Sequence, residues 1–216
     1  MIKSEFLKIN EIFYSIQGES TRIGLPTIFI RLTGCPMRCV YCDTAYAFHE
    51  GTNYTFEQIF EAIKQYDSKY ITVTGGEPLA QKACFDFIKM LCEQSYDVSI
   101  ETGGAVSIKG VDPRAKIILD IKTPGSGEEK NNDWTNLRLI KLEDEIKIVI
   151  TNQKDYEWAK EIIKKENLFN KAQILFSPAH GEVKSEDLAS WILKDSLPVR
   201  LQLQLHKIIW GNKKGV

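Results

Sequence analysis

The sequence predicts an α/β fold, an incomplete barrel of mostly parallel strands from which several helices have been trimmed. Three observations carry that prediction. Short runs rich in β-branched residues alternate with amphipathic segments of helical period, the pattern of parallel strands joined by right-handed crossovers. Thr102–Lys116 is too short and too weakly periodic for a full crossover helix. The chain has 216 residues, enough for one sizeable core and too few for two full domains, so a single domain over residues 1–216 is expected.

Taken in order, residues 6–13 (FLKINEIF) and 27–33 (TIFIRLT) read as strands. Tyr54–Tyr66 reads as a helix, with Thr55 as cap and Ile59, Phe60 and Ile63 on one face. Strand 70–74, a helix over about 80–94 and strand 96–101 follow, then strands 117–121 and 145–150. A helix over 153–166, strand 173–177, helix 185–194 and a last strand near 199–205 complete the set. Residues 122–135 (KTPGSGEEKNNDWT), rich in Gly, Asn and charge, read as a mobile loop. No fixed-period repeat or low-complexity tract is present.

Charge narrows the function classes. Lys and Arg number 28 against 29 Asp and Glu, without the basic excess that a nucleic-acid or membrane-surface footprint needs, so a small-molecule substrate is expected. The N-terminal residues scatter charge through MIKSEFLKINEIFYSIQGES and read as neither signal peptide nor anchor, so a cytoplasmic protein is expected. Five cysteines in a reducing compartment are not expected to pair as disulfides.

Three of the five fall within eight residues, Cys35-x3-Cys39-x2-Cys42. Electron-transfer clusters ordinarily use four thiolates; with three, one iron lacks a protein sulfur, and an open position is what separates a catalytic metal from a structural one. The expectation is a 4Fe–4S cluster whose open iron takes the amino and carboxylate groups of S-adenosylmethionine (SAM). The competing reading is a Cys3His zinc site completed by His49, whose six-residue gap from Cys42 matches no common zinc module. Cys84 and Cys92, in a helical segment with Phe85, Ile88 and Leu91, read as core fillers.

Thr74-Gly75-Gly76-Glu77-Pro78 follows a β-branched strand, and its glycines permit close approach to a ligand. After a three-cysteine loop, such a turn gains a purpose: its carbonyls and Glu77 can receive the SAM ammonium. Arg31 stands among Ile, Phe and Leu and needs a partner if it points inward. A substrate carboxylate suits its fork; solvent or Glu19 are the alternatives. Near the end, Gln202, Gln204 and His206 alternate with leucines and read as one polar face of a strand.

On these motifs the sequence resembles the 7-carboxy-7-deazaguanine synthases of the radical SAM superfamily. The resemblance covers nearly the whole chain: EIFYSIQGES at 11–20, Gly24 to Arg31, Cys42-Asp43-Thr44, TGGEP at 74–78, SIETGG at 99–104, LDIKTP at 119–124 and the closing LQLHKIIWGNKKGV. It implies a partial, trimmed (β/α)6 radical SAM barrel and a lyase that turns 6-carboxy-5,6,7,8-tetrahydropterin into 7-carboxy-7-deazaguanine with loss of ammonia, on the route to queuosine and related deazapurines. It implies that Cys35, Cys39 and Cys42 hold the cluster, and that Tyr41, Cys42, Asp43, Gly76, Glu77, Asp120, Ile121 and Lys122 contact SAM. Thr44 would bind Mg2+, while Ile16, Gln17, Gly18, Glu19, Arg31 and Thr74 line the pterin site and Glu101 and His206 act in catalysis. A flavodoxin- or ferredoxin-type reductant and a homodimer are implied by the same resemblance. A glycyl-radical activating enzyme and a non-catalytic iron–sulfur or zinc module are the alternative readings.

Overall fold

The computed structural model describes residues 6–216. Its centre is one nine-stranded sheet in the order β3-β1-β2-β4-β5-β6-β7-β8-β9. The strands are β1 (Phe6–Ile16), β2 (Pro26–Leu32), β3 (Thr52–Thr55), β4 (Tyr70–Gly75), β5 (Asp97–Thr102), β6 (Lys116–Ile121), β7 (Glu145–Ile150), β8 (Gln173–Pro178) and β9 (Arg200–Leu201). From β2 through β4 to β9 every neighbouring pair is parallel. The first two strands depart from that rule, since β1 pairs antiparallel with both β2 and β3. Residues 17–25 turn back too tightly for a crossover, so only a hairpin can form there.

Among the described residues five α-helices accompany the sheet: α1 (Phe56–Ile63), α2 (Ala83–Glu93), α3 (Gln153–Lys165), α4 (Ser185–Lys194) and α5 (Leu205–Trp210). α1 is shorter than the sequence suggests, because Thr52–Thr55 is claimed by β3. Thr55 is its cap, accepting from the Gln58 N–H at 3.2 Å while the Gln58 side chain accepts from the Thr55 N–H at 2.9 Å. No helix links β5 to β6, as the short crossover predicts, and β6 reaches β7 through three 3-10 turns. No helix among the described residues is long and apolar enough to cross a membrane.

Strand alternation sorts the sheet into two unlike faces. Across the side that carries the helices, register aligns Ile30, Val73, Ile100 and Ile117 in one row and Ile121, Ile148 and Phe176 in another. These residues form the core with Ile59, Phe60, Phe87, Ile88 and Tyr156 from the helices. Cys84 and Cys92 are buried in that core, as expected. Burial pushes the Cys84 thiol far up, so it is an inert hydrophobe. Odd-numbered neighbours on the first strands and their counterparts onward face the other way: Arg31 beside Thr74, Glu101 beside Ile118, and Asp120 beside Lys147.

Two expectations fail locally. Residues 122–135 are not a loose loop. Asp155 on α3 accepts from Thr123 Oγ1 at 2.8 Å and the Gly125 N–H at 2.9 Å, and Asn132 exchanges two hydrogen bonds with the Lys122 backbone. The last strand also ends earlier than expected. β9 stops at Leu201, and Leu205–Trp210 is a helix, so Gln202, Gln204 and His206 do not share a strand face. Leu201 is the last residue to pair with β8; beyond it the chain leaves the sheet edge and crosses over the polar face.

Candidate active site

The polar face opens at the carboxyl ends of the strands into one cavity of about 560 Å3. The structure gathers most of the expected site residues there. Cys35, Cys39, Cys42, Tyr41, Asp43 and Thr44 enter from the loop after β2, with Gly76 from the turn after β4. Thr74, Glu101, Asp120 and Lys122 line the wall, and Gln17, Gly18, Glu19, Arg31 and His206 close the other side.

The cysteine loop is fastened on two sides. The Glu77 N–H donates to Gly34 O at 2.7 Å and the Gly76 N–H to Leu32 O at 3.2 Å, so the glycine turn grips the start of the loop. A Cβ on Gly76 would lie 2.2 Å from Gly34 O and 2.7 Å from Cys35 Cβ; only glycine allows that approach. From the opposite side, Val40 N–H donates to Ser126 O at 3.0 Å and Arg38 N–H to Glu128 Oε1 at 2.7 Å. The segment expected to be mobile is thus a buttress for the cysteines. Burial raises all three thiols, Cys39 to about 11, with the Lys122 ammonium pulling it the other way.

Whether these residues suit a cluster and SAM can be judged from the donor set. Three cysteines share one cavity. Three thiolates are one short of the four that ordinarily hold an iron–sulfur cluster, the donor set that leaves one iron open. His49, the residue offered to zinc, is exposed and lies outside the cavity wall. Beside the cysteines, Tyr41 Oη and Asp120 Oδ1 are buried with no hydrogen-bond partner. Buried polar atoms are rarely left so, and a ligand with hydroxyl, amino and purine groups would satisfy both. The residues fit.

Not every expected ligand faces the cavity. Glu77 is fully buried and does not line it. Its carboxylate accepts from Thr102 Oγ1 at 2.8 and 2.9 Å, the Gly103 N–H at 2.8 Å and the Leu79 N–H at 3.1 Å. It braces the turns after β4 and β5, and the cavity-facing part of its motif is Thr74-Gly75-Gly76. Ile16 and Ile121 also lie outside the lining; Ile121 belongs to the helix-side core.

Charge in the cavity is organised in pairs. Arg31 Nε donates to Glu11 Oε1 at 2.7 Å, a partner the sequence reading did not consider, leaving its terminal nitrogens for a ligand. Lys122 lies 3.1 Å from Asp120, and Lys147 lies 2.6 Å from Glu19 and 3.5 Å from Asp120. Burial opposes both ammonium charges, but the neighbouring carboxylates win and raise both lysines. Burial also works against Glu19, yet Lys147 holds it below its ordinary range. Glu101 differs. It accepts only from Thr74 Oγ1, at 2.9 Å, and burial together with the Glu19 charge raises it. One carboxylate is therefore kept ionised and its neighbour is biased toward the acid, the division used by acid–base pairs.

Lys147 is the member that sequence reasoning missed. The signal was available: a lysine inside EIKIVI poses the same question as Arg31 inside TIFIRLT. Further along, Gln17 Nε2 donates to Thr72 Oγ1 at 3.0 Å, tying its loop to the sheet floor. His206 packs its ring against Gly18, where a Cβ would lie 2.1 Å from His206 Nδ1. Burial lowers that histidine and favours neutral imidazole.

Comparison with known proteins now bears on this geometry. A model of the radical SAM superfamily matches residues 29–171. A 7-carboxy-7-deazaguanine synthase of Chlorobaculum tepidum is 45% identical over 214 residues, spanning 97% of each chain. The chain belongs to the 7-carboxy-7-deazaguanine synthase family of the radical SAM superfamily. A second such synthase, from Koribacter versatilis, is 40% identical over 226 residues, 97% of this chain and 100% of that one. The crystal structure of QueE from Escherichia coli has the same fold, with a TM-score of 0.77 at 22% identity over 93% of this chain and 95% of the other. The trimmed α/β barrel is that of the family, and its cofactors, a 4Fe–4S cluster and SAM, are those this cavity accommodates.

Proposed function

We propose that the protein converts 6-carboxy-5,6,7,8-tetrahydropterin into 7-carboxy-7-deazaguanine with release of ammonia, in the supply of 7-deazapurines for queuosine. The observation that carries this is the cavity itself. It places three cysteines with an open approach on one wall and an arginine, a biased carboxyl and a neutral histidine on the other. Near-complete coverage by synthases of that name supports the substrate.

When bound, the cluster and SAM supply the 5′-deoxyadenosyl radical that takes and returns a substrate hydrogen. The chain does the rest. Cys35, Cys39 and Cys42 would hold three irons and leave the fourth toward the cavity. Tyr41 Oη, Asp120 Oδ1 and Lys122 would orient SAM, with Gly76 giving it room. The terminal nitrogens of Arg31 would take the substrate carboxylate. Thr44 Oγ1, which donates to Asp43 Oδ1 at 2.9 Å, keeps its lone pairs for Mg2+, a cation content with few protein ligands, water and substrate oxygens. Glu101 would present a proton on its free carboxyl oxygen to the pterin edge, and His206 Nδ1 or Nε2 would accept one. The sheet floor of Gln17, Thr72 and Ser99 closes the cavity from below and limits water.

Residues 1–216 are read as one catalytic unit, working in the cytoplasm and reduced by a flavodoxin- or ferredoxin-type donor. A homodimer is read from the family, with the exposed Ile208 and Ile209 of α5 as an apolar surface in need of cover. The decisive experiment is an anaerobic incubation of cluster-loaded protein with SAM, reductant, Mg2+ and the carboxypterin, followed by mass spectrometry. Appearance of the deazaguanine acid supports the reading; cleavage of SAM with the pterin left intact overturns it.

A further inference from the structure

Gln204 touches two loops that come from opposite ends of the reaction. Its Nε2 lies 2.8 Å from Glu19 Oε1 and 3.3 Å from Asp43 Oδ2. An amide nitrogen has two N–H bonds to give, so one side chain can serve both. Glu19 belongs to the Gln17–Glu19 loop, which the sheet floor positions under the substrate side. Asp43 follows Cys42 directly in the cysteine loop.

The neighbours of Gln204 repeat the pattern. The Leu205 N–H donates to Gly18 O at 3.0 Å, and the His206 ring fills the space over Gly18. Lys207 Nζ meets Asp43 Oδ2 at 3.0 Å. Four consecutive residues thus hold the substrate loop on one side and the cysteine loop on the other, beyond the last strand and outside the barrel hydrogen-bond ladder. The hairpin ladder continues through Gln17, whose N–H donates to Leu25 O and whose carbonyl accepts from the Gly24 N–H, both at 2.8 Å, so one loop is fixed on the sheet; the cysteine loop has left the ladder after β2, and Gln204 ties it to that fixed loop across the cavity.

Resting on the reading of the reaction given above, we propose that Gln204 is a positioning residue that sets the spacing between the cysteine loop and the Gln17–Glu19 loop, and so the distance between the radical and the hydrogen it takes. Lys207 supports the cysteine side of this strap alone. A radical formed beside a displaced substrate is quenched elsewhere, so loss of the strap uncouples SAM cleavage from product.

The test uses cluster-loaded protein in two measurements. In hydrogen exchange without SAM or substrate, Gln204→Leu is expected to speed exchange about tenfold or more in both 16–20 and 39–46, the scale of losing hydrogen bonds to charged groups, with 145–150 unchanged. Lys207→Met is expected to speed only 39–46. In turnover, Gln204→Leu is expected to raise the ratio of 5′-deoxyadenosine to deazaguanine product severalfold. A response in one loop only, equal responses of both loops to Lys207→Met, or a proportional fall of cleavage and product each overturns the strap. Should Gln204→Leu fail to fold, Gln204→Asn keeps the amide but is too short to reach both carboxylates, and the same joint loosening is expected. Failure of the wild type to consume carboxypterin overturns the proposed reaction, while the exchange result still decides the strap.

Discussion

The two faces of the sheet are built from alternate residues of the same strands, yet they are held by different physics. On the helix side, rows of Ile, Val and Phe pack against the apolar surfaces of four helices, α1 to α4, and each residue has many interchangeable neighbours. On the cavity side, the same strands present Arg31, Thr74, Glu101, Asp120 and Lys147, each held by one or two named partners. Burial of apolar area is non-directional and tolerant of exchange. A buried charge is satisfied by a particular group at a particular distance. Stability therefore resides on one face and chemistry on the other, and adjacent residues should report different things.

The largest effects should come from the rim. Cys39→Ala is expected to reduce turnover to background and remove most of the iron from anaerobically loaded protein, while the melting temperature of the metal-free protein stays within a few degrees of wild type. Gly76→Ala tests the same wall without replacing a cysteine. Its new methyl must displace Gly34 and Cys35, so iron content per chain should fall with all three cysteines present. Full iron loading in that variant would break the claim that the glycine turn sets the position of the loop.

Next comes the contrast between neighbours, Ile100 and Glu101. Ile100→Ala removes a fully buried side chain from the helix-side core, and should cost about 2–5 kcal/mol in urea unfolding with affinity for the substrate retained. Glu101→Gln should do the reverse, slowing product formation on the order of 10²-fold at little cost in stability. If both variants move the same quantity, the separation of the faces is wrong.

The pH dependence of that pair sharpens the point. Glu101 in the folded protein is raised above its ordinary value of 4.5, by burial first and the Glu19 charge second. A raised carboxyl favours folding while it is protonated, so its contribution is whole below about pH 4.5 and declines as pH rises through the folded value. Glutamine does not titrate. Glu101→Gln should therefore gain stability relative to wild type between pH 4 and pH 7, read as the difference in urea midpoints; a gain in the opposite direction would mean that Glu101 is held as the anion.

The legibility of the two faces from sequence differed for the same reason. Short runs rich in β-branched residues announced almost every strand, and the clustered cysteines announced their loop, because both are local patterns. What stayed hidden depends on partners far apart in the chain. Lys147 gains meaning only from Glu19 and Asp120, and Arg31 from Glu11 across the hairpin. The residues 122–135 look flexible by composition, yet Asp155 and the cysteine loop hold them in place. Gln202, Gln204 and His206 misled in a further way. Their alternation with leucine is a strand pattern, but the chain makes its last backbone bond to β8 from the Gln202 N–H to Phe176 O, and Leu205–Trp210 turns into a helix.

The smallest expected effect lies far from the cavity and on the stability side. Thr55 caps α1 through a reciprocal pair with Gln58, and α1 contributes Phe56, Ile59, Phe60 and Ile63 to the core. Replacing Thr55 by Ala leaves the Gln58 N–H without its side-chain acceptor but removes no apolar contact, because Thr55 is itself only partly buried. The cost should be about 1 kcal/mol in urea unfolding, with turnover and iron content unchanged. Gln58→Ala should cost no more, since it removes the return bond to the Thr55 N–H and leaves the cap in place. A loss of activity in Thr55→Ala would show that the helix layer transmits position to the cysteine loop, and the division between the two faces would then have to be redrawn at β3.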